Sequence, residues 1–173
     1  MRLIYLFFLL VFASSCTSVK YFVVRHAEKE VPSAGVVMST PNDPPLSAAG
    51  RVRAIELREE LKTQNIRFIF STNTLRTIST AQPLNEMRDA TKIQLYNTKD
   101  SLDFLIQKLK AIKKGNSLIV GHSNTVDDIV NKLCGEIKVP RDLPDSEYDN
   151  LYLITKKGKK MKFENKTYGT LTN

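Results

Sequence analysis

Short apolar runs alternate along the chain with longer stretches in which apolar residues recur every three or four positions. Val19 to Val24, Ile66 to Phe70 and Ser117 to Val120 read as strands buried on both faces, and Lys92 to Tyr96 as a further short strand. The helical spacings fall between them. Ser47 can cap a helix running to about Lys62, with Ala54, Leu57 and Leu61 opposite Arg53, Glu56, Arg58, Glu59 and Glu60. Thr74 to Gln82 reads as a helix closed by Pro83. Asp100 to Lys113 reads as one carrying Leu102, Leu105, Ile106 and Leu109 on its buried face, and Thr125 to Leu133 as the last. Tyr148 to Ile154 and Lys160 to Phe163 then form a strand pair turning at Gly158. Strands alternating with helices predict an α/β three-layer sandwich, a mainly parallel central sheet with helices on both faces and an antiparallel edge at the end.

The chemistry collects where these strands stop. The chain has two histidines, and each follows an apolar run directly, in Arg25-His26 and in Gly121-His122. Arg76 lies in the first turn of the helix after Ile66 to Phe70. Open α/β sheets bind ligands beyond the carboxyl ends of their strands, so Arg25, His26, Arg76 and His122 are expected at one edge. Arginine presents a planar fork of donors that matches phosphate oxygens, and a neutral imidazole nitrogen can attack phosphorus. A lone histidine is more often structural than catalytic; here the combination with two arginines carries the weight. Lys29 to Pro45 holds Pro32, Gly35, Pro41, Pro44 and Pro45, which predict a loop beside the first histidine. Its polar positions Glu30, Asn42 and Asp43 read as solvated.

At 173 residues, 42% hydrophobic and 25% charged, the chain fits one globular domain. Residues 1 to 15 stand apart: Met1-Arg2, an apolar run from Leu3 to Phe12, then Ala13-Ser14-Ser15 before Cys16. The run is shorter than the ~20 residues that span a bilayer, so it reads as an export signal, with a domain over residues 16–173. With its cysteine at the end, the stretch resembles a bacterial lipoprotein signal. That resemblance implies a lipid anchor on Cys16 and an address in the cell envelope. Cys134, late in a helical pattern, reads as a small buried hydrophobe. The formal charge is +8, with Lys156, Lys157, Lys159, Lys160 and Lys162 clustered around Gly158. No stacking aromatics interleave with them, so no nucleic-acid partner is expected; a solvated turn that leans on the membrane is.

Four segments together point to a family. Arg25-His26-Ala27-Glu28-Lys29 resembles the opening motif of the histidine phosphatase superfamily, the phosphoglycerate mutase-like proteins, and Gly121-His122-Ser123 its second histidine motif. Between them, Pro45 to Gly50 followed by Ala54 resembles the segment entering the first helix, and Ser71 to Ala81 resembles the pocket-arginine motif. The resemblance implies that His26 is the nucleophile, transiently phosphorylated, and that Arg25, Arg76 and His122 hold the phosphoryl group. Thr72 stands where the family often has a serine, which places it among the substrate-binding candidates. No metal or other cofactor is implied, because a cationic cradle stabilises the charge on the transferring group. The proton donor is Asp100 or, as runner-up, Glu28. The implied activity is hydrolysis of a small phosphomonoester. The alternatives are a phosphoglycerate mutase, a protein phosphohistidine phosphatase, and a surface lipoprotein that binds an anion without turning it over.

Overall fold

Alternate side chains of the first strand, β1 (Val19–Arg25), enter two separate cores. The computed structural model describes residues 18–31, 40, 42–88, 92–98 and 102–172. Tyr21 and Val23 pack with Ile119, Leu105, Leu109, Ile129 and Leu133, whereas Phe22 and Val24 pack with Leu118, Leu57, Leu61, Ala81 and Leu84. Two helices therefore cover each face. α1 (Ala48–Leu61) and α2 (Leu75–Glu86) lie on one side, and α3 (Asp103–Ala111) and α4 (Val126–Cys134) on the other. Burying one large apolar side chain contributes ~1.5–3 kcal/mol. The central strands, buried on both faces, depend most on that term.

The sheet also contains β2 (Ile66–Thr72), β3 (Ile93–Tyr96), β4 (Asn116–Gly121), β5 (Asn150–Lys157) and β6 (Lys160–Thr167), in the order β3-β2-β4-β1-β5-β6. β3, β2, β4 and β1 are parallel, while β5 runs antiparallel to β1 and β6 antiparallel to β5. The three layers agree with the sequence reading, but the sheet is mixed rather than mainly parallel. The connection after α4 explains the difference. It returns to the histidine edge, where Leu143 N donates to Ser123 O and Arg25 donates to Pro144 O, before β5 begins. β5 therefore starts where β1 ends, with Leu151 opposite Val24.

Three other element boundaries differ from the sequence reading. α2 continues through Pro83 to Glu86, because the proline removes only one backbone bond while Ala81 and Leu84, both 0% exposed, keep the face docked. α3 begins at Asp103, and Asp100 lies outside the described residues, as do Cys16 and the proposed signal of residues 1–15. The final hairpin is later and longer than expected, with Gly158 taking φ 61° at its turn. Cys134, expected to be buried, is only half-buried against the α3–α4 core. Among the described residues no helix is long and apolar enough to cross a membrane.

The entry to α1 ties it to the histidine strand. Ser47 Oγ accepts from Gly50 N at 3.1 Å, which is the expected cap, and Ser47 N donates to Glu28 O at 2.9 Å. Leu46 is buried beneath with Ala27 and Ala54. Gly50 is required by this contact, since a Cβ there would lie 2.1 Å from Glu28 O, a backbone atom with little freedom to move. Gly50→Ala is expected to cost ~1–3 kcal/mol of overpacking and to lower the Tm by roughly 2–12 °C. Thermal unfolding followed by circular dichroism checks this; an unchanged Tm would show that the strand end yields.

Candidate active site

Parallel pairing of β1 with β4 sets Arg25 beside Gly121, so His26 and His122 follow side by side. Their ring centroids are 5.4 Å apart in an edge-on arrangement, and His26 N donates to Gly121 O at 2.9 Å. His26 is 4% exposed, and its Nδ1 lies 2.7 Å from Ala27 O. A carbonyl only accepts, so Nδ1 carries the proton and Nε2 keeps its lone pair. Burial, reinforced by Arg25, His122 and Arg76, pushes His26 down to about 3 despite the bond to Ala27. His122 Nε2 lies 2.9 Å from Thr72 Oγ1, and its Nδ1 lies 3.5 Å from an amino group of Arg76. Since arginine only donates, the network assigns the His122 proton to Nε2. Burial, with Arg76 and Arg25, pushes His122 down to about 4. Both rings are neutral near pH 7.

The two arginines are held at their tips. One terminal amino group of Arg25 donates to the carbonyls of Pro144, Asp145 and Glu147 at 2.7, 3.2 and 3.0 Å, and the other reaches Asp145 Oδ1 at 3.3 Å. The Tyr148 ring lies 4.2 Å from the guanidinium carbon. Arg76 gives one amino group to Asp43 Oδ1 at 3.0 Å. The Nε atoms of both arginines are buried with no partner among the described residues. An unsatisfied buried donor costs ~1–3 kcal/mol, so two beside neutral imidazoles describe a site suited to an anion. A cleft of about 530 Å³, lined by Thr72, Asn73, Thr74, Tyr96, Asn97 and His122 among others, opens beside this cluster. Among the described residues no group of His, Cys, Asp and Glu is placed to hold a metal ion.

This arrangement can be compared with known proteins. The sequence model of the histidine phosphatase superfamily (branch 1) matches residues 21–102. That stretch contains Arg25, His26 and Arg76; His122 lies beyond it, and the β1–β4 pairing brings it in. The fold resembles that of a protein from Agrobacterium tumefaciens described as the phosphohistidine phosphatase SixA, at 16% identity and TM-score 0.59, covering 87% of this chain and 97% of that one. It also resembles a phosphoserine phosphatase mutant from Entamoeba histolytica, solved with phosphoserine, at 13% identity and TM-score 0.60, covering 88% and 97%. A mycobacterial glucosyl-3-phosphoglycerate phosphatase gives 13% and 0.56, covering 88% and 99%. At such identities the likeness is one of fold. No curated protein sequence matches the chain.

The structure brings together Arg25, His26, Arg76, His122 and Thr72 of the residues singled out in sequence. Thr72, at the wall of the cleft, has its hydroxyl engaged by His122 and Thr77: it is 2.9 Å from Nε2 and donates to Thr77 Oγ1 at 3.0 Å. Glu28 is engaged elsewhere. Both its oxygens accept from Arg53 Nε, at 2.8 and 3.0 Å, and Arg53 is itself 3% exposed and bound to the carbonyls of Tyr168 and Thr170. Glu28 is thus a structural partner joining β1 to α1 and the carboxyl-terminal segment.

Several participants were missed. Asp43, read as solvated, accepts from Leu75 N at 3.0 and 2.9 Å, capping α2, and holds Arg76 with the same carboxylate. Thr80 accepts from Ala27 N at 2.9 Å and donates to Arg76 O at 2.7 Å, linking the end of the His26 strand to the helix that carries Arg76. Tyr148 and the carbonyls of Pro144, Asp145 and Glu147 fix Arg25. The prolines and the acid beside Leu75 in space had no sequence signal that named their partner. Gly121, named with His122 in the sequence, is closely packed, since a Cβ there would meet Thr125 Oγ1 at 2.9 Å and Tyr96 Oη at 3.0 Å.

Asp43→Ala is expected to weaken inorganic phosphate binding about tenfold by freeing Arg76, while Asp43→Asn retains most of the affinity. Calorimetric titration of the wild type and both variants checks this; equal affinities would make the ion pair incidental. The histidines give a second expectation. Below pH 6.5 the unfolded chain binds protons that the native one refuses, so their contribution to stability is full above pH 6.5. It falls away as pH drops toward about 4 for His122 and about 3 for His26. Proton NMR of the two imidazoles should show midpoints well below 6.5, and saturating phosphate should raise that of His122; ordinary midpoints would refute the buried, cation-lined site.

Proposed function

We propose that the chain is a member of the histidine phosphatase superfamily that hydrolyses a small phosphomonoester through a phosphohistidine on His26. The observation that carries this reading is the bond from His26 Nδ1 to Ala27 O, which leaves an unprotonated Nε2 among Arg25, Arg76 and His122. In the first step Nε2 forms a bond to phosphorus as the bond to the leaving oxygen breaks. That oxygen takes a proton from an acid. In the second step water attacks phosphorus and gives a proton back to that acid's conjugate base, the N–P bond breaks, and inorganic phosphate leaves with His26 and the acid restored. The charge spread over the equatorial oxygens meets the two buried Nε donors and the Arg76 amino group beside His122, and this cradle supplies the stabilisation without a metal. The negative charge of bound phosphate favours a proton on His122, adding a donor.

Asp100 is the proposed proton donor. It follows β3, whose last residue Tyr96 pairs with Thr72 at the histidine edge, and Glu28, the other candidate, is held by Arg53. Acid catalysis is typically worth ~10²–10⁴ in rate. The cleft beside His122 gives a leaving group of modest size a place to lie. Residues 1–15 as an export signal, Cys16 as a lipidated residue and an address in the cell envelope complete the proposal, supported by the apolar run and its position before the cysteine.

The decisive test is turnover of an aryl phosphate in excess chelator, with His26→Ala beside the wild type. Turnover should survive the chelator and fall by at least roughly 10³-fold in the variant, and alkaline quenching should trap an acid-labile phosphate on His26. Phosphate binding without turnover on any phosphomonoester would instead assign an anion-binding protein.

A further inference from the structure

The sheet edge opposite the histidines gathers positive charge from segments far apart in sequence. β1 and β4 begin there, tied by Lys20 N donating to Asn116 Oδ1 at 2.9 Å, and the β5–β6 turn arrives there because Lys156 pairs with Val19. Topology thus places Lys113 and Lys114, just before β4, beside the hairpin residues Lys156, Lys157, Lys159 and Lys160. Lys156 Nζ donates to Lys110 O, joining the hairpin to the end of α3. No acid lies in residues 110–116 or 155–163, and none of the six lysines is ion-paired among the described residues. Burial, and then Lys113 and Lys110, push the Lys156 ammonium down, a sign of like charges crowded together. A cleft of about 810 Å³ near the start of β2 adds Arg67 and Arg88 to the same edge, beside Lys62, which is paired with Glu59.

A surface that crowds lysines without counter-charge is stabilised by an anionic partner. Two features select a lipid surface over a nucleic acid. The exposed lysines are point charges without a row of exposed aromatics on which bases could stack. The edge is also where the chain enters β1 at Val19, three residues after Cys16. On the proposed lipid-anchor reading, three extended residues reach at most ~10 Å, about one Debye length at physiological salt. The anchor would leave this edge no room to stand clear of the headgroups.

We propose that the edge formed by the start of β1, the α3–β4 connection and the β5–β6 turn rests on an anionic lipid bilayer. The histidine edge then faces away from it. Seven-residue strands hold the two edges roughly 20 Å apart, so the site opens to water and to soluble phosphomonoesters rather than to lipid phosphates.

The test uses the full chain on phosphatidylcholine vesicles with and without phosphatidylglycerol. A membrane-impermeant amine reagent, read by mass spectrometry, should label the six lysines at least about fivefold less on anionic vesicles, with recovery in high salt. Lys29, exposed at the histidine edge, should label equally on both. A variant with glutamine at the four hairpin positions (K156Q, K157Q, K159Q, K160Q) should float less with anionic vesicles while turning over a soluble aryl phosphate as the wild type does. This separates the docking surface from the phosphatase reading. No flotation with neutral vesicles, with flotation on anionic ones that high salt reverses, would support the docking surface and overturn the anchor. Equal labelling on both vesicle types, equal protection of Lys29, or protection by duplex DNA alone would overturn the proposal.

Discussion

The register between β1 and β4 is the constraint on which the site depends. Arg25 opposite Gly121 leaves one residue on each strand to step off the sheet, and those residues are the two histidines. A shift by one position would exchange the faces of β1, sending Tyr21 and Val23 into the core that holds Phe22 and Val24. The hydrophobic sorting of β1 therefore specifies the distance between the two imidazoles as firmly as any contact between them. Gly121 completes the constraint, because its missing side chain lets Thr125, Tyr96 and Val126 close in behind His122.

The site carries its charge by different means at each position. Arg25 is buried against three backbone carbonyls and an aromatic face, which solvate a guanidinium without neutralising it. Its carboxylate contact, Asp145, has a fully exposed side chain, so screening leaves that pair little net worth. Arg76 is paired with Asp43 at the rim, where the carboxylate also caps α2. Arg53 is neutralised by Glu28, away from the two histidines. The net effect is a positive pocket around two neutral imidazoles, and that same positive field keeps both imidazoles neutral. A nucleophile needs its lone pair, and a phosphate needs cations; burial of the rings lets both conditions hold together.

Much of this was legible in the sequence because it follows from local rules. Buried strands ending at histidines, the Ser47 cap and the Gly158 turn depend on residues within one element, and the structure shows each of them. What escaped depends on partners that tertiary structure chooses. Asp43 sits in a proline-rich loop and meets Leu75 and Arg76 across more than thirty positions. The carbonyls that hold Arg25 lie in a connection whose return to the histidine edge also reverses β5, so one unforeseen path accounts for both the mixed sheet and the missed contacts. Pro83 kept its helix because packing of Ala81 and Leu84 outweighed one lost bond. Thr72 was recognised as a site residue, but only the structure shows that its hydroxyl serves His122.

The same topology gives the domain a polarity that neither end would have alone. Parallel strands share a direction, so residues just past their carboxyl ends converge on one edge and the residues that precede them converge on the other. The four parallel strands thereby separate two positive regions of different character. At one edge, Arg25 is buried and Arg76 half-buried, oriented by carbonyls and by Asp43, and two of their donors have no partner among the described residues, which suits a single bound anion. At the other, lysines stand on a hairpin and a connection without an ion pair among the described residues, all of them exposed except Lys156, which is half-buried and donates to Lys110 O. Fixed, desolvated forks select one phosphate by geometry; mobile, hydrated ammonium groups respond to the summed charge of a surface. The reversal of β5 is what carries Lys156 to Lys160 to the far edge, since a fifth parallel strand would have delivered that turn beside His26. The antiparallel end of the sheet thus keeps a diffuse positive field away from the pocket, where it would have attracted anions without orienting them.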